Sequence, residues 1–250
     1  MIDKFRAELT EALEVVWSGA SIAVGGFGSS GRPDALINTL CELDLHDLHV
    51  IVNNVGHDFT GVSRLVMEGR VRRVTASFPI LPEFYEAYFA GKVELELIPQ
   101  GTLAERLRAG GAGIAAFFTP SGAGTMLSDG TFPLAYRDGV AATYIPEKEC
   151  REINGRLHVL EYGIAADFGL VKAQKADRKG NLRFHLTARN FNPVAGMSGR
   201  TTFAEVEQLV EAGQIAPDDV HLAGVFVDHI VMTGPPVPAT FDYRERESIA

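Results

Sequence analysis

Short apolar runs ending on glycine or asparagine alternate with helical periodicity from residue 21 to residue 118, and this alternation restricts the possible folds most severely. Ser21-Ile22-Ala23-Val24 stops at Gly25-Gly26 and reads as a strand buried on both faces. Pro33 then opens a helix, with proline suited to the first turn and Asp34 placed where the helix dipole favours a negative charge. The rhythm repeats with strands predicted over 49–53, 71–76, 93–98 and 114–118, and helices over 62–68, 81–90 and 103–109. Ahead of it, Phe5, Leu9, Ala12, Leu13 and Val16 predict one amphipathic helix. Unlike elements joined by short connections give an α/β fold, a mainly parallel doubly wound sheet flanked by helices. Its functional site is expected beyond the C-terminal strand ends.

The second half has a different texture. Residues 119–144 are rich in Gly, Ser, Thr and Pro, and strands over 157–160, 168–173, 182–184, 201–210 and 225–231 suggest a mixed-strand C-terminal extension. Nothing resembles a linker, so residues 4–232 are taken as one domain, with a Pro-containing tail over 233–250 that runs along a surface, its own or a partner's.

The 25–31 loop carries the sharpest local signal. Gly26, Gly28 and Gly31 satisfy G-x-G-x-x-G between a predicted strand and a predicted helix, where backbone N–H groups can face an anion or an acyl oxygen. A dinucleotide site would also require an acidic residue at the end of the second strand. That strand ends instead in Asn53-Asn54-Val55-Gly56, which argues against a nicotinamide cofactor. Two alternatives stay open: a tight turn whose glycines let helix and strand pack, or a loop lining a site for another anionic ligand.

Here charge and cysteine content become useful. Against 23 Lys and Arg stand 32 Asp and Glu, a net charge of −9, which argues against a nucleic-acid binder, whose affinity depends on clustered cation–phosphate contacts. Cys41 and Cys150 fit separate reduced thiols, no apolar run reaches the roughly 20 residues of a membrane span, and the charged start is unlike a signal peptide, so a cytoplasmic chain is expected. The seven histidines are scattered, and His46-x-x-His49 lacks neighbouring metal ligands.

Several segments in register resemble the A (alpha) subunit of family I coenzyme A transferases. Residues 19–33, GASIAVGGFGSSGRP, are similar to its Gly-Gly-Phe signature, and residues 98–125, IPQGTLAERLRAGGAGIAAFFTPSGAGT, are closer still. Asn53-Asn54-Val55-Gly56, residues 176–181 and residues 187–193 resemble three further family segments in the same order, so the likeness covers residues 4 to 232. It implies an enzyme that moves CoA from an acyl-CoA such as succinyl-CoA to a carboxylate such as a 3-oxoacid. In that chemistry a glutamate attacks the thioester, and covalent intermediates divide one hard exchange into easier steps. CoA is then a substrate, with no permanently bound cofactor.

The family's glutamate lies in a Ser-Glu-Asn-Gly motif of a beta (B) subunit. That motif is absent from this sequence, and Glu161-Tyr162-Gly163 is a poor substitute in an ordinary segment. The resemblance therefore implies half of an αβ or α2β2 assembly, acting on acyl-CoA and carboxylate substrates and touching neither nucleic acid nor membrane. It implies that Asn53, Asn54 and Gln100 line the reaction centre, where neutral amides donate to carbonyl or carboxylate oxygens. The substrate-binding set is Gly25, Gly26, Phe27, Gly28, Gly31, Arg32, Gly122 and Gly124. Turn-capping is the plainer role for the two asparagines, and a flexible connector is the plainer role for Gly122 and Gly124.

This sequence departs from the family in three places: Ser18, Arg32 within Ser29-Ser30-Gly31-Arg32-Pro33-Asp34, and Ser77-Phe78-Pro79-Ile80-Leu81-Pro82. Arg32 suggests recognition of a second carboxylate on a dicarboxylic donor, because a guanidinium grips carboxylate bidentately; an arginine at a helix start is the plainer alternative. The basic runs Arg70, Arg72, Arg73 and Lys172, Lys175, Arg178, Lys179 are candidates for CoA phosphates or simply solvated faces. Rival functions are an acyl-CoA hydrolase or lyase subunit on the same fold, and a non-catalytic binding protein.

Overall fold

The computed structural model describes residues 3–56 and 59–234. The apolar runs become the strands they suggest: β2 (Ser21–Val24) follows a two-residue β1 (Phe5–Arg6) and the short α1 (Leu9–Leu13). Then come α2 (Asp34–Glu42), β3 (Leu48–Val52), α3 (Val62–Met67), β4 (Val71–Ala76), α4 (Pro82–Phe89), β5 (Glu94–Leu97) and α5 (Gln100–Gly111). The first helix is shorter than its periodicity predicts. Phe5 and Arg6 pair with Ile230 and Val231 at the sheet edge, and the Asp3 carboxylate accepts from the Phe5 N–H, so the chain turns helical only at Leu9.

An antiparallel excursion follows: β6 (Ala116–Thr119), β7 (Pro133–Arg137), β8 (Val140–Tyr144), β9 (Cys150–Ile153) and β10 (Arg156–Tyr162). β6, β10 and β9 form a three-stranded sheet, and β7 with β8 makes a hairpin. The run over 114–118 is therefore a strand outside the parallel sheet, pairing antiparallel to β10. The chain then returns through β11 (Ala166–Asp177), β12 (Leu182–Arg183), α6 (Asn192–Ser198), β13 (Gly199–Val210) and β14 (His229–Met232). Within 225–231 only the last residues are strand, because Gly224–Phe226 coils into a 3-10 turn.

The main sheet runs β1-β14-β13-β11-β2-β3-β4-β5, with every neighbour along that path parallel and β12 antiparallel on β11. Alternation within each strand divides the core. Ile22, Val24, Val50 and Val52 pack under α1 to α4 with Leu13, Leu36, Leu65 and Phe84; Ala23, Ile51 and Val171 face α5 and α6 with Leu103, Leu107 and Ala195. From β2 the order advances to β5, and from β11 it advances the other way to β14. β2 and β11 therefore flank the point where strand order reverses, and connections diverging from such a point leave a crevice at the C-terminal ends. The tail predicted from residue 233 lies outside the described residues from 235 onward. Among the described residues no helix is long and apolar enough to cross a membrane.

Candidate active site

β2 ends beside Leu170 of β11, whose carbonyl accepts from the Gly25 N–H at 2.9 Å. The loop closes with reciprocal Phe27 and Ser30 backbone bonds of 3.0 Å each, leaving the Phe27 ring exposed at its tip. Behind it lies Asn192, fully buried in the first turn of α6. Its Nδ2 donates to the carbonyls of Gly31 at 2.9 Å and Ala188 at 2.8 Å, and its Oδ1 accepts from the Lys172 N–H at 2.9 Å. A β-carbon on Gly25 would sit 2.1 Å from that Oδ1, and one on Gly31 would sit 2.7 Å from Nδ2. These two glycines are glycines because a buried amide occupies the space of a side chain. Asn192 lies in the resembling segment 187–193, yet no residue-type signal marked it as the loop's support.

A second buried support holds α2. Glu205 of β13 is 1% exposed; its Oε2 accepts from the Leu36 N–H at 3.0 Å, in the first turn of α2, and its Oε1 lies 3.1 Å from Lys172 Nζ. Burial pushes this carboxyl above its usual range, against the opposing pull of Lys172 and the Leu36 N–H. Arg32 lies between the glycine loop and the segment ahead of α3. Its Nε donates to Asp34 Oδ1 at 2.5 Å and its Nη2 to Thr60 Oγ1 at 2.5 Å, with the side chain 11% exposed. Asp34, two residues on in the sequence, is thus one carboxylate partner of this guanidinium.

The amide pair comes from the next strand ends. Asn53, just past β3, is 1% exposed, and its Oδ1 accepts from Ser77 Oγ and from Gln100 Nε2, both at 2.7 Å. Ser77 follows β4, whereas Gln100 opens α5 after β5 and is exposed, so three consecutive strand ends meet at one amide. Asn54 is half-buried and its Oδ1 accepts from the Gly56 N–H at 3.2 Å, the turn-capping bond. It also lines a small crevice with Gly25, Gly26, Gly28 and Arg32. Gly122, in the β6–β7 loop, points the direction of a missing β-carbon at the Pro99 ring, 3.4 Å away and next to Gln100. Gly124 points at Leu157 of β10 instead, at 3.6 Å. Ser77 is the member of this group that residue type alone did not single out for a role; its position one residue past a strand was the available signal.

The charged candidates disperse. Arg70 bonds Glu68 and the Leu43 carbonyl, Arg72 and Arg73 share Glu94, and Arg178 bridges Asp3 and Glu211. Glu161 is 3% exposed and held by Lys148 at 2.7 Å and Arg106 at 3.6 Å. It lines a cavity of about 420 Å³ between β5, β7 and β10 that shares no residue with the glycine crevice. On the same side of the sheet, His49 Nε2 donates to Thr75 Oγ1 at 2.8 Å, and that hydroxyl donates to Glu96 Oε2 at 2.8 Å. Burial brings His49 down to about 4, so this imidazole is neutral at pH 7. Burial raises Glu96, but the Arg106 charge and bonds from Arg106 and Thr75 overcome it and hold the carboxyl low.

The sequence pattern of the family described as Coenzyme A transferase matches residues 6–233. The A subunit of a probable succinyl-CoA:3-ketoacid coenzyme A transferase from Mycobacterium bovis is 47% identical over 250 residues, covering 99% of each chain. The A subunit of the 3-oxoadipate CoA-transferase from Pseudomonas putida is 44% identical, covering 92% of this chain and 94% of that one. Among solved structures, an acyl-CoA transferase of Escherichia coli O157:H7 shares the fold with a TM-score of 0.77 at 21% identity. The match covers 94% of this chain and spans 50% of that longer one.

Proposed function

This chain belongs to the coenzyme A transferase family, and on that premise we propose that it is the alpha subunit of a two-chain enzyme exchanging CoA between succinyl-CoA and a 3-oxoacid. One observation carries the proposal. Among the described residues, those that line the crevice at the strand-order reversal offer backbone, amide and guanidinium groups and include no carboxylate or thiol. Such a site can hold an acyl oxygen and stabilise the charge that develops on it, but it cannot attack a thioester. Glu161, locked between Lys148 and Arg106 at another cavity, is no substitute.

In this reading a partner beta chain supplies the attacking glutamate, in an αβ or α2β2 assembly that works in the cytoplasm with CoA as substrate rather than resident cofactor. The loop of Gly25, Gly26, Phe27, Gly28 and Gly31 binds the acyl group, with Arg32 beside it and Gly122 and Gly124 on the neighbouring loop. Asn54 and Gln100 supply neutral donors near the reacting carbonyl, with the buried Asn53 amide directly behind Gln100. Neutral donors suit the task because they stabilise a transient oxyanion without trapping a carboxylate substrate.

The test is co-expression with a chain carrying Ser-Glu-Asn-Gly, exposure to succinyl-CoA without acceptor, and trapping with borohydride. A glutamyl adduct on the partner, with this chain inactive alone, is the expected outcome. Transfer by this chain alone, or reaction of the pair with acyl-CoA and no adduct, would overturn it.

A further inference from the structure

The amide of Asn53 is oriented against its own hydrogen-bonding interest. Its Oδ1 receives two donors, whereas its Nδ2 is buried and has no partner. Buried amide N–H groups are normally satisfied, and an exception calls for a cause. Turning the amide over would bring Nδ2 to face Ser77 Oγ and Gln100, and Gln100 would then have to present its own oxygen inward to accept. The arrangement observed does the opposite. The one hydrogen of Ser77 Oγ has two acceptors in reach, Asn53 Oδ1 at 2.7 Å and the Asn53 backbone carbonyl at 3.1 Å; that carbonyl already accepts from the Ser77 N–H at 3.1 Å and the Phe78 N–H at 3.0 Å, so the hydroxyl donates to the nearer Oδ1. Oδ1 is thereby held toward Gln100, and Gln100 must meet it with Nε2 at 2.7 Å.

We propose that Ser77 is a positioning residue that acts through Asn53 to fix the side-chain amide of Gln100 as a hydrogen-bond donor at the reaction centre. Of the three side chains only Gln100 is exposed, so it is the one that can meet a substrate. One Nε2 hydrogen is committed to Asn53 and the second remains for an acyl oxygen. A Gln100 amide turned the other way would direct a carbonyl dipole at a developing oxyanion and repel it. The stored imperfection is the unpaired Nδ2 of Asn53, at a site where only one of two amide states serves the chemistry. The inference rests on the transferase reading given above.

The experiment uses the assembled two-chain enzyme, with Ser77→Ala, Ser77→Thr, Asn53→Ala and the Ser77→Ala/Asn53→Ala double variant in this chain. Ser77→Ala should lower kcat about tenfold, the loss of one oriented hydrogen bond, with KM changed less than about twofold and the melting temperature held. Ser77→Thr, which restores the hydroxyl, should recover most of the rate. The double variant should be no slower than Asn53→Ala alone, because Ser77 has nothing to act through once the amide is gone. A kcat for Ser77→Ala within about twofold of wild type, or an equal further loss in the Asn53→Ala background, would overturn the proposal. The glutamine side-chain 15N–1H signal of Gln100, followed in the labelled assembly, gives a readout independent of turnover. It should shift and sharpen in Ser77→Ala, and an unchanged signal overturns the relay. If wild type moves no CoA while that signal responds as expected, the failure lies with the transferase reading and not with the relay.

Discussion

Substituting Gly25 with alanine tests whether the glycine loop rests on Asn192 as described. The new β-carbon would lie 2.1 Å from Asn192 Oδ1, 2.7 Å from its Cγ and 3.0 Å from its Cα, so backbone as well as side chain is in the way. Asn192 cannot rotate aside without surrendering bonds to Gly31, Ala188 and Lys172, all at 2.8 to 2.9 Å. Three hydrogen bonds at about 1 kcal/mol each, with overpacking of about 1 kcal/mol or more, give a loss of about 4 kcal/mol. Asn192→Ala loses the same three bonds without the clash, about 3 kcal/mol. Because both changes abolish one set of contacts, the double variant should be about as unstable as Gly25→Ala alone, giving a coupling of about 3 kcal/mol. Urea midpoints of the four proteins, read with a common m-value, measure it. Additivity within about 0.5 kcal/mol would refute the shared cradle, and so would a Gly25→Ala protein as stable as wild type.

Two more perturbations follow from buried charge. His49 titrates at about 4 when folded against 6.5 ordinarily, so between those values the unfolded chain holds the extra proton and stability falls as pH falls. The contribution is complete above about pH 6.5, and its loss amounts to about 3 kcal/mol by the time pH reaches about 4. His49→Gln should flatten that part of the acid limb in urea titrations at pH 7 and pH 4.5; an unchanged acid dependence would show that the imidazole does not remain neutral under Glu96 and Arg73. Replacing Glu205 with glutamine leaves Lys172 facing a neutral group at the start of α2 and should destabilise the chain by about 2 to 3 kcal/mol at pH 7. A denaturation midpoint equal to wild type would mean that this ion pair adds nothing to the loop's support.

What could be foreseen from residue order and what could not divide along physical lines. The parallel core was legible because a strand covered on both faces is largely apolar, and Ser21–Val24 and Leu48–Val52 carry that mark with one polar residue each. β7 and β8 carry no such mark, since their residues are half-buried or exposed. Their signal lay in the turns instead: Asp138-Gly139 between β7 and β8, and Asn154-Gly155 between β9 and β10, each with both residues at positive φ, as two-residue hairpins require. The candidate site divides the same way. Asn53, Gln100 and the glycines stand at strand ends, where position and residue type already suggest a role. Ser77, Glu205 and Asn192 act on partners 24, 169 and 161 residues away, and no local pattern encodes such a contact. The pairing of Asn192 with Gly25 and Gly31 makes the point most sharply, because each glycine looks like a turn residue until the amide that fills its missing side chain is in view. A glycine loop of this kind therefore takes its shape from a distant segment, and a substitution at Asn192 should disturb the crevice as surely as one within the loop.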